Sequence, residues 1–325
     1  MVLKADWDKT DEYVGINDEI INIVQHALPS KTLLSHDIIS GGCANINIKL
    51  NFTEDSTPLI LRIYIRDKNS ALKEQKILEL ISPHIPVPKV YSIGEFENCH
   101  YALLEYIEGR TLRDVILEHE DTKDAMFEAG KILGEMKKIT FASAGLFNQE
   151  LKVAAKLAKK DCAEFLYESL KNPIFGKHIK PSYIRRIREV VKKHESHLPD
   201  SLEKHLVHAD YDPSNILVAK QNNVWKVAAI LDWEFSFSGS SLWDIANMLR
   251  YSHQLPGAYE NEFLRGVSAG GIDLPEHWRI TAHLLNLLAL IDCLSRYEPR
   301  THTNNVLDIK ALIDNILAQL ETTPS

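Results

Sequence analysis

Hydrophobic and polar positions follow two different patterns along this chain. Up to about residue 107 the apolar stretches are short, and the stretch 46–52 is apolar at alternate positions, which predicts β-strands. Beyond residue 112, apolar residues recur every three or four positions over long stretches and predict helices. The strands expected are 38–39, 46–52, 59–65, 90–93 and 101–107; the helices expected are 17–27, 71–81, 123–139, 151–170 and 183–194, followed by helical chain to about residue 320.

This change of pattern predicts an α+β protein with two lobes. We expect a small N-terminal lobe in residues 1–106, which combines a sheet with helices. A larger, mainly helical C-terminal lobe takes residues 107–325, and the change of character falls near residues 105–109. A cleft between two such lobes is a natural site for a nucleotide.

One hairpin interrupts the helical half. The stretches 216–219 and 225–231 are apolar and rich in β-branched residues, and the polar residues 220–223 separate them. Two strands joined by a short polar turn predict an antiparallel hairpin. A helix is expected to begin after Ser240 and Ser241.

The composition sets limits on the class of protein. The chain has 325 residues, of which 45% are hydrophobic and 25% are charged, and this length allows two lobes with a sizeable core. A net charge of −8 and a pI near 6.0 argue against a nucleic-acid partner, which would require a basic face.

We also expect a cytoplasmic protein without a membrane span. The first residues lack an apolar core of signal-peptide length, and the apolar stretch 282–291 is too short to cross a bilayer, so it predicts a buried helix. The cysteines are widely separated and form no CxxC pair, which predicts free thiols rather than a zinc site or disulfides. They are Cys43, Cys99, Cys162 and Cys293. The sequence does not indicate an oligomeric state.

Polar residues that could carry chemistry flank the predicted hairpin. Asn215 comes directly before its first strand and Asp232 directly after its second, so the hairpin brings both to one open end. Amide and carboxylate oxygens are ligands that Mg²⁺ prefers. Asp210, a few residues earlier, could accept or orient the proton of an attacking hydroxyl, and the set matches the needs of phosphoryl transfer from ATP.

Each of these residues has a simpler explanation when taken alone. The segment 212–215 could be only a turn, Asp232 a cap at a strand end, and His208 a buried structural histidine. The ordered set on both sides of one hairpin favours catalysis.

The segments HADYDPSN (208–215) and LDWE (231–234) resemble the aminoglycoside phosphotransferase and choline kinase superfamily, small-molecule relatives of the protein kinases. The resemblance implies a protein-kinase-like two-lobed fold whose N-terminal lobe is an antiparallel sheet plus a helix. It implies that Asp210 is the catalytic base and that Asn215 and Asp232 bind the metal. His208 would support the loop, and Asp244 would brace it from a following helix.

The same resemblance assigns the nucleotide site, for ATP or GTP with Mg²⁺, to the N-terminal lobe. The turn SGGCAN (40–45), with Gly41 and Gly42, resembles the turn that covers the phosphates. Arg62 stands where a phosphate-binding cation is expected, and its planar fork suits phosphate oxygens. The resemblance implies that Glu74 pairs with this cation and that the Glu105 carbonyl and the Ile107 amide hold the base.

We therefore expect an enzyme that phosphorylates a hydroxyl of a small molecule. An aminoglycoside or another cationic antibiotic is the favoured acceptor, and kinases of choline, homoserine or methylthioribose are the alternatives within the superfamily. The rival classes of protein are a non-catalytic nucleotide-binding pseudokinase and a protein kinase. The region after Met248 is expected to line the acceptor pocket, with Glu260, Glu262, Asp292 and Glu298 as acids that could meet an amine and Tyr251, Trp278 and Tyr297 as aromatic candidates.

Overall fold

The computed structural model describes residues 3–8, 17–41, 45–53, 57–68, 70–157, 159–298 and 302–324. Its N-terminal part is an antiparallel sheet of five strands in the order β1-β2-β3-β5-β4. The elements of this part are α1 (Asn17–Ala27), β1 (Leu33–Gly41), β2 (Asn45–Phe52), β3 (Leu59–Tyr64), α2 (Ser70–Ile81), β4 (Val90–Phe96) and β5 (Cys99–Glu105). The expected sheet with accompanying helices is therefore confirmed.

Alternation of side chains along these strands gives the sheet two different faces. Ile46, Ile48 and Leu50, at every second position of β2, lie in a cluster with residues of α1. In β3, Ile60 and Tyr64 point the other way and join the main core with α2. Arg62 lies between Ile60 and Tyr64 at every second position of β3, so its side chain is on the same face of the sheet as theirs and points away from α1.

The C-terminal part is mainly helical, as expected. Its elements are β6 (Arg110–Thr111), α3 (Leu112–Leu117), α4 (Lys123–Lys138), β7 (Gly145–Phe147), β8 (Val153–Lys156), α5 (Lys159–Ser169), α6 (Pro173–His178), α7 (Pro181–His194), β9 (His205–Val207), β10 (Ile216–Gln221), β11 (Val224–Ile230), β12 (Phe237–Gly239), α8 (Leu242–Leu249), α9 (Gly257–Ala269), α10 (Trp278–Leu294) and α11 (Thr303–Thr322). The expected lobe boundary between residues 106 and 107 lies in the connection from β5 to β6.

The predicted hairpin is confirmed as β10 and β11. The two strands pair antiparallel from Ile216 opposite Ile230 to Gln221 opposite Val224. Asn222 and Asn223 both have positive φ, at 50° and 63°, and tight hairpin turns often require this at both central residues.

The prediction of one helix over residues 151–170 is wrong in its first part. The Asn148 side chain accepts hydrogen bonds from the N–H groups of Glu150 and Lys152, at 3.0 and 2.9 Å, and this turns the chain. Val153–Lys156 then extends beside β7 as β8, and the helix begins only at Lys159.

The apolar stretch 282–291 forms part of the largely buried helix α10, as predicted. Among the residues that the structure describes, no helix combines the length and the apolar character needed to cross a membrane.

Helices α4 and α9 approach closely because glycines line their contact. A Cβ at Gly130 would lie 2.1 Å from the Phe263 carbonyl oxygen, and a Cβ at Gly266 would lie 2.0 Å from that of Phe127. The same stretch of α4 offers the Ala129 carbonyl, which accepts a hydrogen bond of 2.9 Å from the Tyr211 hydroxyl. Packing of α4 on α9 therefore bears on the loop that contains Tyr211.

We expect Gly130→Ala to destabilise the protein by about 1–3 kcal/mol, since the added methyl group forces the two helices apart. Thermal unfolding measures the change. Gly176→Ala is the matched control, because nothing beyond the adjoining backbone of its own helix lies within 4 Å of a Cβ built there. Equal melting temperatures for the two variants would contradict the close helix contact.

Candidate active site

The open end of the β10–β11 hairpin brings the two predicted metal ligands together. The Leu231 N–H donates a hydrogen bond of 2.8 Å to the Asn215 carbonyl, so Asp232 follows directly beside Asn215. The Asn215 side-chain amide donates to the main-chain carbonyl of Asp210 and to its Oδ2, both at 2.9 Å. These bonds orient the amide so that its oxygen is the atom that can bind a cation.

The loop from His208 to Asn215, called the catalytic loop below, rests on a strained residue. Ala209 has a φ of 74°, a left-handed conformation that costs a non-glycine residue about 1 kcal/mol or more. Asp244 accepts hydrogen bonds from the N–H groups of His208 and Ala209, both at 2.9 Å. Asn247 donates to the Ala209 carbonyl at 2.7 Å. Through Asp244 and Asn247, helix α8 thus holds the backbone just before Asp210.

His208 is fully buried and links the two halves of the motif. Its Nε2–H donates to the Leu231 carbonyl at 2.8 Å, and its Nδ1 accepts the Asp210 N–H at 3.2 Å. The ring also packs edge-on against Trp233, with the centroids 4.6 Å apart. These contacts are those of a residue that supports the loop.

Arg62 lies between two acids. Its Nε is 3.2 Å from Glu74 Oε2, and its guanidinium forms a second ion pair with Asp232. Burial alone would lower the pKa of Arg62, but the charges of Asp232 and Glu74 hold it well above its ordinary value. The family resemblance implies the pairing of Arg62 with Glu74, whereas no sequence pattern predicts the direct contact of Arg62 with Asp232.

Glu74 is itself fixed from several sides. Its Oε1 accepts the Trp233 N–H at 3.1 Å, and its Oε2 accepts the Tyr64 hydroxyl at 2.5 Å. A buried helix residue therefore connects α2 to the backbone directly after Asp232, which ties the two parts of the chain together at the site.

The predicted adenine-binding connection follows β5. The Glu105 N–H donates to the Lys89 carbonyl at 2.8 Å, and the Glu105 side chain accepts the Lys89 N–H at 3.1 Å. Within the described parts of the chain, the half-buried Ile107 makes no hydrogen bond through its N–H. Gly41 is the last residue of β1, whereas Gly42 lies outside the described residues.

The donor set at the hairpin fits magnesium. The side-chain oxygens of Asn215 and Asp232 are hard ligands, and two protein ligands leave room for waters and phosphates. Among the described residues, no group of three or more histidine, cysteine, aspartate or glutamate side chains could hold a metal, so no closed cage of the kind that binds structural zinc is formed there.

The acids expected near the acceptor are each in an ion pair with a neighbour. Glu260 pairs with Arg279 and Glu262 with Arg265. Asp292 and Glu298 pair with Arg296 and Lys177 in the same way. Of the aromatic candidates, Tyr251 and Tyr297 are buried and Trp278 packs half-buried on the core.

Sequence reasoning missed three charged residues at the site. Glu234 is buried, and burial together with the nearby charge of Asp232 raises its pKa to about 7. Its position two residues after Asp232, in the segment LDWE, is the sequence feature that could have indicated it. Asp212 is a buried acid within the predicted turn. Lys4 pairs with it from 208 residues away, and nothing in the sequence indicates that contact.

Comparison with known proteins identifies the family. A family model described as the phosphotransferase enzyme family (APH) matches residues 37–281. The chain belongs to this family, and the expectation of an enzyme, a small-molecule kinase, is confirmed. No curated protein matches the chain in sequence.

Solved structures with the same fold include aminoglycoside phosphotransferases. A thermostable mutant of APH(4)-Ia in ternary complex with AMP-PNP and hygromycin B superposes with a TM-score of 0.71 at 15% identity, covering 94% of this chain and 99% of that one. The GDP and kanamycin complex of APH(2″)-IIIa gives 0.64 at 16% identity, with 93% and 97% covered. These likenesses confirm the α+β kinase-like fold with an antiparallel N-terminal lobe.

The charge on Asp244 predicts a pH dependence of stability. Burial raises its pKa from 3.8 to about 6, against the N–H bonds that favour the charged form. Between pH 3.8 and about pH 6, the Asp244 carboxyl is already ionised in the unfolded chain but still protonated in the folded protein. The free energy of unfolding therefore falls as pH rises through this window, by up to about 3 kcal/mol, and the loss is complete above pH 6.

Urea unfolding of wild type and Asp244→Asn between pH 3.5 and 7 measures this effect, because the variant cannot titrate at this position. The wild type should lose stability relative to the variant as pH rises from about 4 to 6. Asp124→Asn makes the same change at an exposed position and serves as the control. A stability difference between wild type and Asp244→Asn that is constant with pH would contradict the buried charge.

Proposed function

We propose that the protein transfers the γ-phosphoryl group of ATP, in a Mg²⁺-dependent reaction, to a hydroxyl group of a small molecule. One observation carries the proposal. The Asn215 side-chain amide is bonded to Asp210, and the Asn215 carbonyl is bonded to the N–H of Leu231, the residue before Asp232, so the proposed base and both proposed cation ligands lie at the open end of one hairpin. Phosphoryl transfer needs positioning and charge neutralisation at such a point.

In this proposal each residue has a separate task. Asp210 accepts or orients the proton of the acceptor hydroxyl, and its side chain is about a third exposed, which leaves it within reach of an acceptor. Asn215 and Asp232 hold the magnesium ion, which supplies positive charge to the phosphates when bound. His208 and Asp244 hold the loop, in which Ala209 has a left-handed conformation.

Arg62 is the proposed partner of the nucleotide phosphates. Its ion pair with Asp232 gives the guanidinium a place next to the expected phosphates, and Glu74 keeps it there. The Glu105 carbonyl and the Ile107 N–H are the proposed contacts of the base. The fold is that of proteins solved with AMP-PNP and with GDP, which leaves the choice between ATP and GTP to experiment.

The favoured acceptor is an aminoglycoside or another cationic antibiotic. Support comes from structures of the same fold that contain hygromycin B and kanamycin and from the acids at positions 260, 262, 292 and 298. Choline, homoserine and methylthioribose are the metabolic alternatives. The physiological role, antibiotic resistance or metabolism, follows from the acceptor.

We expect Asp210→Asn and Asp232→Asn each to lower kcat at least about 100-fold without loss of the fold, because they remove the base and a metal ligand. Asparagine tolerates the left-handed backbone of Asp232, whose φ is 70°. Steady-state phosphotransfer and circular dichroism measure the two properties. Asp124→Asn, an exposed position, should behave like wild type. Wild-type turnover by Asp210→Asn would exclude its role as base.

A panel of acceptors tests the substrate class. Aminoglycosides, macrolides, amino alcohols and sugars are each incubated with the protein, Mg²⁺ and ATP or GTP, and acceptor-dependent nucleotide consumption is measured. We expect turnover with at least one amine-bearing alcohol, abolished by chelation of Mg²⁺. Nucleotide binding without any turnover would point instead to a pseudokinase.

A further inference from the structure

The segment Leu3–Asp8 reaches the catalytic loop and is firmly held there. Leu3 is buried in the main core. The Trp7 indole donates to Asp308 at 2.8 Å, and the Asp8 carboxylate accepts the main-chain and side-chain N–H groups of Asn304, both at 2.9 Å. The segment is therefore bound to α11 and to the core on both sides of Lys4.

Lys4 points from this segment at the two acids of the catalytic loop. Its ammonium forms an ion pair with Asp212, and its Nζ lies 3.5 Å from Asp210 Oδ1. The Lys4 and Asp212 side chains are only 17% and 8% exposed. Burial alone would lower the pKa of Lys4, but the charges of Asp210 and Asp212 outweigh it and raise the pKa well above its ordinary value. Lys4 thus carries a stable positive charge beside the proposed base.

Charge balance explains the contact of Lys4 with Asp212 but not its contact with Asp210. The buried Asp212 needs a counter-ion, and Lys4 supplies it. The Asp212 Oδ1 also accepts the Ser214 N–H at 2.8 Å, so this acid is well satisfied. An ammonium group has three N–H donors. The two aspartates take two of them at most, and one remains for an oxygen of the substrate.

The place of the reacting oxygen follows from the base. An acceptor hydroxyl that gives its proton to Asp210 must come within about 2.6–3.2 Å of the carboxylate. The Lys4 Nζ is 3.5 Å from an oxygen of that same carboxylate. Its charge therefore lies close to the phosphoryl oxygens at the moment of transfer, where added positive charge stabilises the transition state.

We propose that Lys4 is a further catalytic residue, whose ammonium donates a hydrogen bond to the phosphoryl group as it joins the acceptor oxygen. The bond from the γ-phosphorus to the bridging oxygen of ATP breaks, and its electron pair leaves with ADP. A new bond joins the phosphorus to the acceptor oxygen, whose proton passes to Asp210. Lys4 keeps its own proton throughout. This inference rests on the proposed function.

Two variants separate a catalytic Lys4 from a merely structural one. Lys4→Met removes the charge but leaves Asp212 buried and unpaired, so it also affects folding. The double variant Lys4→Met/Asp212→Asn removes both charges together and restores a neutral pair. Lys226→Met is the matched control. Lys226 lies on β11 and forms a surface ion pair with Asp124 at 3.0 Å.

Phosphotransfer and the slow hydrolysis of ATP by water are measured for each variant, with thermal unfolding in parallel. We expect kcat to fall about 100-fold or more in the single and in the double variant, while the KM for ATP stays within about 2-fold. The double variant should regain most of the stability. Added ethylammonium should restore part of the rate to Lys4→Ala in a saturable way.

Wild-type kcat in the double variant would overturn the inference and leave Lys4 as a counter-ion only. Faster turnover in Lys4→Met would overturn it as well, because the segment would then be a plug in the acceptor site. If Asp210→Asn is inactive but the Lys4 variants are not, only this inference fails. If wild type consumes no nucleotide with any acceptor or with water, the proposed function fails and this inference fails with it.

Discussion

The Asp244 carboxylate accepts two successive backbone N–H groups, those of His208 and Ala209, and the geometry of the site depends on this pair of bonds. They hold Ala209 in a left-handed conformation that an alanine would otherwise leave. The following residue, Asp210, is thereby turned toward Asn215. Without this constraint the loop could relax by about the 1 kcal/mol or more that the conformation costs, and the proposed base, Asp210, would lose its hydrogen bond with Asn215.

The anionic character of the site is balanced by two cations that come from outside the catalytic loop and the hairpin. Arg62 on β3 faces Asp232 and Glu74, and Lys4 faces Asp212 and Asp210. Removing one partner of a buried pair leaves an uncompensated charge and typically destabilises by about 3–5 kcal/mol. The two cations therefore tie distant parts of the chain to the site: Arg62 pairs with Asp232, which follows the hairpin, and Lys4 pairs with the catalytic loop.

What could be predicted from the sequence is what depends on short separations along the chain. The β10–β11 hairpin follows from two apolar strands and a polar turn, and the closeness of Asn215 and Asp232 follows from the hairpin. The pairing of Arg62 with Glu74 came from the resemblance to a family. Lys4 could not be predicted, because its contact with Asp212 spans 208 residues and no local pattern encodes it. The helix expected from residue 151 failed because a single side chain, Asn148, sets a turn that helical periodicity does not reveal.

The strengths of the ion pairs bear on how a cationic acceptor could bind. Glu298 lies in an exposed pair with Lys177, and such pairs are worth at most about 1 kcal/mol, so an amine could displace the lysine easily. Glu260 and Glu262 are more enclosed, but their arginine partners are largely exposed. An amine of the acceptor could therefore displace these arginines as well. The Lys4–Asp212 pair is different, because Asp212 is buried, the Lys4 side chain is only 17% exposed and the segment is anchored on both sides. In the proposed function, positive charge on an acceptor would therefore be recognised at Glu260, Glu262 and Glu298, while Asp210 already has the Lys4 ammonium 3.5 Å away.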